Sequence, residues 1–216
     1  MKRLGLYGGS FDPIHVGHIT PVEDARARMG LDAVIYVPAY RAPHKPDGPE
    51  VSAWHRFAMA ALALAPHERL QLSDYEVSRA ERVYTVDTLA AFRNAHPEDE
   101  VVLLVGSDSL AALPTWRRWE EIVARHRLVV VVREPYDRPR VEAELPPPLR
   151  ARLAPAGATL REDRPETILW GGNTPVTMSS TWLRDALPAG EKLNGGLPAP
   201  VEAYVRRHGL YGVSLP

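Results

Sequence analysis

Apolar, β-branched runs recur along the chain at residues 4–7, 33–37, 70–72, 101–105 and 128–132, and each reads as a strand. The runs at 101–105 and 128–132 are almost uninterruptedly apolar, as expected for strands covered on both faces of a parallel sheet. Helical periodicity occupies the intervals: residues 19–29, 52–65 with Ser52 as N-cap, 86–94 and 116–125. Strand and helix therefore alternate. The rhythm predicts an α/β fold, a Rossmann-like doubly wound parallel sheet built by right-handed crossovers. Toward the C-terminus, Ser179-Ser180-Thr181 caps a helix running roughly to Leu187, and residues 200–208 form a last helix with Pro near its start. Residues 179–216 are thus expected to form a small helical subregion within a single domain spanning 1–216. The tract 134–152 is rich in proline and charge and reads as a surface connector with at most one short helix.

Composition narrows the partners. With 216 residues and 45% hydrophobic content the chain can bury one substantial core. A formal net charge of -1 supplies no overall attraction to nucleic acid or to a membrane surface, so binding of an anion must come from a local site. The absence of cysteine excludes a disulfide framework and a thiol nucleophile. No secretory signal and no stretch long enough to cross a bilayer is apparent, which makes a cytoplasmic location the expectation.

In an open parallel sheet, ligands lie beyond the carboxyl ends of the strands. The loop after the first strand reads Gly8-Gly9-Ser10-Phe11-Asp12-Pro13-Ile14-His15-Val16-Gly17-His18. Glycines at the strand end let the backbone turn and bring N–H groups near an anion, and two imidazoles three residues apart share one face at a helix start. A phosphate site is the better reading; a zinc site would want further ligands, and the chain has neither cysteine nor an HExxH arrangement. Ser180 and Arg184, four apart on one helix face, could grip phosphate oxygens together. His44 and Lys45 follow the second strand in a proline-bounded loop. After the fourth come Gly106-Ser107-Asp108, where Asp108 either accepts from ribose hydroxyls or caps a helix over 109–113. Trp116 beside Arg117, and Tyr84-Thr85 before a helix, offer an aromatic face and a hydroxyl for a planar ring, whereas Trp119 reads as core.

These blocks, in this order, resemble the bacterial nicotinate-nucleotide adenylyltransferases of the HxGH nucleotidylyltransferase superfamily. The likeness rests on Gly8 to His18, Pro43-His44-Lys45, Tyr84-Thr85-Val86-Asp87-Thr88-Leu89, Gly106-Ser107-Asp108 with Trp116, Arg133 after the fifth strand, and Ser179-Ser180-Thr181-Trp182-Leu183-Arg184. The resemblance implies transfer of AMP from ATP to nicotinate mononucleotide in NAD synthesis, without a covalent intermediate. It implies His15 and His18 as catalytic groups, and Gly8, Gly9, Ser10, Lys45, Gly106, Asp108, Ser179, Ser180 and Arg184 on ATP. It further implies His44, Thr85, Trp116 and Arg117 on nicotinate mononucleotide, with Arg133 an added candidate. Magnesium would be held mainly by the ATP phosphates, with no metal ligand assigned to the protein. A homo-oligomer is left open. The rival readings are another HxGH enzyme, a phosphopantetheine adenylyltransferase or a cytidylyltransferase, and a non-catalytic nucleotide sensor. Glu81-Arg82-Val83 replaces the family's more usual Gly-Pro-Ser, and Arg133-Glu134-Pro135-Tyr136 its Arg-Pro-Gly-Tyr.

Overall fold

A computed structural model describes residues 1–41, 50–160 and 168–215. The strands are β1 (Arg3–Gly9), β2 (Ala33–Pro38), β3 (Leu70–Leu72), β4 (Glu100–Gly106), β5 (Leu128–Val131) and β6 (Ile168–Trp170). They form one sheet in the order β3-β2-β1-β4-β5-β6, and β1/β4, β4/β5 and β5/β6 pair in parallel. This is the strand order of the doubly wound dinucleotide-binding fold, with its reversal point at β1 and β4. Val102 and all four residues of β5 are fully buried, which is why their segments carry no polar alternation. Among the described residues no helix is long and apolar enough to cross a membrane.

The chain divides into two compact units. One comprises Met1–Gly8, Pro21–Ile35 and Tyr84–Pro175; the other comprises Gly9–Thr20, Tyr36–Val83 and Val176–Pro216. In the first, α3 (Thr85–Ala95) and α5 (Trp119–Arg125) pack on each other near β4. In the second, α2 (Ala53–Leu64), capped by the Ser52 side chain on the His55 N–H, packs against α9 (Ala199–Arg207). There His55 Nδ1 meets the Tyr204 hydroxyl at 2.9 Å. Helix α8 (Ser180–Ala189) is capped by Ser179, whose hydroxyl accepts from the Trp182 N–H, and it ends on Gly190 in the left-handed conformation.

Several expectations need correction. Helix α1 (Val16–Met29) begins three residues before position 19, because the chain turns into the helix directly from His15. The segment 116–125 is not one helix: a 3-10 turn over Leu113–Thr115 precedes it, and Arg118 in the left-handed region (φ 54°) sets the start of α5 at Trp119. Asp108 caps no helix; α4 (Ser107–Ala111) starts earlier, on Gly106, and places Asp108 in its first turn. The tract 134–152 is not a plain connector. It holds α6 (Arg138–Glu144) and α7 (Pro147–Arg150), anchored by the buried Val141, Leu145 and Leu149, and leads to the unforeseen β6.

Candidate active site

Strand β1 runs straight through Gly8 and Gly9, so the turn falls later than the glycines suggested, at Phe11 with a φ of 48°. A positive φ is uncommon for a bulky residue, and here it accompanies a packed ring. Phe11 is buried, edge-on to the His18 ring at 5.2 Å and 5.6 Å from Tyr36. The Tyr36 hydroxyl donates to the His18 carbonyl at 2.8 Å, fixing the first turn of α1 from below.

His15 and His18 come together. Their ring centroids are 3.8 Å apart, and both residues are buried, at 3% and 8% exposure. The Gly17 N–H donates to His15 Nδ1 at 3.1 Å, and the His15 N–H donates to His18 Nδ1 at 3.3 Å. Each Nδ1 is an acceptor, so each neutral ring carries its proton on Nε2. Gly17 is required by this geometry: a Cβ there would stand 2.9 Å from Cε1 of His15 and 3.3 Å from the Met178 carbonyl.

The rest of the loop is held by a buried polar network that sequence reading missed. Asp12 accepts from the Tyr211 hydroxyl through Oδ1 and from the Glu50 N–H through Oδ2, both at 2.8 Å. The fully buried Arg56 donates to the carbonyls of Ser10 (2.5 Å), Ala39 (2.6 Å), Tyr40 (3.0 Å) and Val51 (3.3 Å). Burial lowers the Arg56 pKa from its ordinary value, opposed by the nearby Asp12. Burial pushes the Tyr211 hydroxyl far up, and the Asp12 charge pushes it further, so the phenol stays a donor at every accessible pH. From α8, the Ser180 hydroxyl donates to the Pro13 carbonyl at 3.0 Å and Arg184 Nη1 to the Asp12 carbonyl at 2.8 Å. The two residues read as neighbours on one helix face do meet the loop together.

In the other unit, Gly106 ends β4 and the Asp108 carboxylate folds back over it, so closely that a Cβ at Gly106 would collide with Oδ1. Asp108 Oδ1 is buried with no hydrogen-bond partner, and Oδ2 stands 4.0 Å from Arg133 Nη1. Arg133 is fixed by its own contacts: Nη2 donates to the Tyr7 hydroxyl at 2.6 Å, and its N–H to Ser107 Oγ at 2.9 Å. Thr85 opens α3, with Asp87 and Thr88 donating back to the Tyr84 carbonyl. The Arg117 guanidinium lies over the Tyr84 ring at 4.7 Å. The Trp116 N–H already donates to the Leu113 carbonyl at 2.9 Å. His44 and Lys45 lie outside the described residues. Among the described residues no three His, Asp or Glu side chains converge as a metal site would require.

Comparison with known proteins identifies the family and the fold. Residues 6–186 match the cytidylyltransferase-like family model. A probable nicotinate-nucleotide adenylyltransferase of Aeromonas salmonicida is 39% identical over 96% of both chains. Its counterpart in Pseudomonas fluorescens is 37% identical over 97% of both. Among solved structures, a nicotinic acid mononucleotide adenylyltransferase of Plasmodium falciparum, complexed with NaAD, superposes with a TM-score of 0.75 over the full length of both chains at 20% identity. A putative nicotinate-nucleotide adenylyltransferase of Vibrio parahaemolyticus gives 0.65 at 18% identity, covering all of this chain and 98% of the other. The structural likeness shows the fold; full-length identity above one third shows more, and the chain belongs to the nicotinate-nucleotide adenylyltransferase family.

Proposed function

We propose that this chain transfers the AMP moiety of ATP to the 5′-phosphate of nicotinate mononucleotide, giving nicotinate adenine dinucleotide and pyrophosphate, a step of NAD synthesis. An oxygen of the acceptor phosphate forms the new bond to the α-phosphorus. The bond from that phosphorus to the α,β-bridging oxygen breaks, and its electron pair leaves with pyrophosphate. One phosphate attacking another needs no protein nucleophile, only alignment of the reactants and donors where negative charge grows. The observation that carries the reading is the pair of imidazoles with both Nδ1 atoms engaged by main-chain N–H groups, which makes each Nε2–H a preset donor. His18 stabilises the α-phosphate and the departing pyrophosphate, with His15 beside it.

The remaining residues divide by substrate. Main-chain groups of Gly8, Gly9 and Ser10, with Ser179, Ser180, Arg184 and Lys45, hold the triphosphate. The unpartnered Asp108 Oδ1 accepts from a ribose hydroxyl beside Gly106, and Arg133 steadies that carboxylate. Trp116 stacks on the pyridine, with His44 and Arg117 beside it. The nicotinate carboxylate is taken by Thr85 at the N-terminal end of the 11-residue α3, where the helix field favours an anion. Magnesium fits this chemistry through the nucleotide, since Asp12, the buried carboxylate of the loop, is already committed to Tyr211 and Glu50. Bound to the phosphates it would neutralise their charge. Both substrates are small molecules, and we assign the whole chain, 1–216, as one cytoplasmic catalytic module.

Steady-state turnover of ATP with nicotinate mononucleotide and with nicotinamide mononucleotide tests the assignment. A clear preference for the acid is expected, because the amide lacks the charge that the α3 end attracts. Equal rates would overturn it, as would turnover with CTP in place of ATP.

A further inference from the structure

Arg184 has more partners than a residue waiting for phosphate would need. Its Nη1 donates to the Asp12 carbonyl at 2.8 Å, its Nη2 reaches Thr181 Oγ1 at 3.4 Å, and its Nε donates to Glu50 Oε1 at 2.5 Å. The last contact is an ion pair between an arginine withdrawn from solvent, its side chain 19% exposed, and a glutamate side chain that is 56% exposed. The main chain of Glu50 is not free to wander from it. Its own main-chain N–H donates to Asp12 Oδ2, and Asp12 is pinned in turn by Tyr211. The main-chain bond fixes the position of the Glu50 Cα beside Arg184, while its exposed side chain keeps the freedom to turn away.

We propose that Glu50 is an internal stand-in for phosphate: its carboxylate occupies Arg184 in the nucleotide-free enzyme, and a triphosphate binds by displacing it. The proposal rests on the assignment of Arg184 to the triphosphate. A carboxylate and a phosphate oxygen compete for the same guanidinium edge, because both are anions that accept its N–H groups. Displacement is cheap on the glutamate side, since Glu50 stays anchored through its main chain while its carboxylate turns to water. Exposed pairs of this kind are weak, so the contact tunes affinity by a few-fold and at most about tenfold rather than closing the site. It also favours polyanions, which can bring enough charge to replace the carboxylate, over singly charged ligands.

The test is calorimetric titration of the full-length protein with α,β-methylene ATP, an analogue that cannot be cleaved, using Glu50→Gln, Arg184→Ala and the double variant, each verified as folded by thermal melting. Glu50→Gln keeps the main-chain bond to Asp12 and removes the charge, and is expected to tighten binding several-fold. Arg184→Ala is expected to weaken binding, and adding Glu50→Gln to it should change nothing further. Unchanged affinity in Arg184→Ala would overturn the assignment of that residue. Weaker binding in Arg184→Ala with no gain in Glu50→Gln would overturn the stand-in alone. So would an equal gain from Glu50→Gln in both backgrounds, which is the mark of a general charge effect.

Discussion

The loop at residues 10–18 and the turn at residues 106–108 both follow a strand of the same sheet, yet they are built differently. In the first, main-chain carbonyls are held by Arg56 and Arg184, both imidazoles are oriented through Nδ1, and both oxygens of Asp12 have donors. In the second, a buried carboxylate oxygen of Asp108 has no hydrogen-bond partner. A buried acceptor left unsatisfied costs roughly 1–3 kcal/mol, whereas a fully bonded loop has little left to reorganise. Under the proposed assignment, the first region is prepared before the nucleotide arrives and the second is completed by it. Groups that act as charge develops should be of the first kind, and groups that recognise a ground-state hydroxyl can be of the second.

The contrast can be broken by kinetics. His18→Ala is expected to reduce kcat by about 100-fold or more with the fold intact, the scale of losing one transition-state donor. A kcat within a few-fold of the parent enzyme would remove His18 from the chemistry. Asp108→Ala is expected to act chiefly on the KM for ATP, raising it about tenfold, the scale of one charged hydrogen bond. A large loss of kcat with unchanged KM would put Asp108 in the same class as His18 and erase the distinction.

A third histidine sharpens it further at smaller amplitude. His126 Nδ1 lies 3.2 Å from the Val101 carbonyl, so here Nδ1 donates, the opposite tautomer to His15 and His18. Burial holds its pKa below the ordinary 6.5, with Arg93 and Arg125 adding to the effect and the Val101 and Glu121 oxygens opposing it. The unfolded chain then takes the proton first as pH falls. The stability contribution is complete above about pH 6.5 and is lost progressively below it. Scanning calorimetry from pH 7 to 5 should show a shallower fall of Tm in His126→Gln, whose amide can still donate to Val101, than in the parent. Parallel curves would show that His126 does not titrate against folding.

The same division separates what could be read from the chain and what could not. β4 and β5 were legible because burial on both faces leaves long branched apolar runs, whereas β6 spans only Ile168–Trp170 and lacks such a run. Proline and charge disguised α6 and α7, although Val141, Leu145 and Leu149 recur at a helical spacing that marks a buried face. The start of α5 was misplaced because a left-handed Arg118 leaves no signature in residue type. His15 with His18, and Ser180 with Arg184, were legible because short-range helical spacing dictates what shares a face. Arg56 was not singled out, yet the pattern contained it: it lies on the same α2 face as Ala53, Met59, Ala60 and Ala63, all buried. A guanidinium on the apolar face of a helix should be read as a tie to main-chain carbonyls. Tyr211 gave no such signal, since its partner is 199 residues away.

That distance has a consequence for how the protein is made. Asp12 is translated well before the hydroxyl that satisfies its buried oxygen, which belongs to a side chain 199 residues further along the chain. Maturation of the 10–18 loop therefore waits on distant sequence, and a nascent polypeptide halted before Tyr211 would carry the whole histidine motif without the clasp that fastens it.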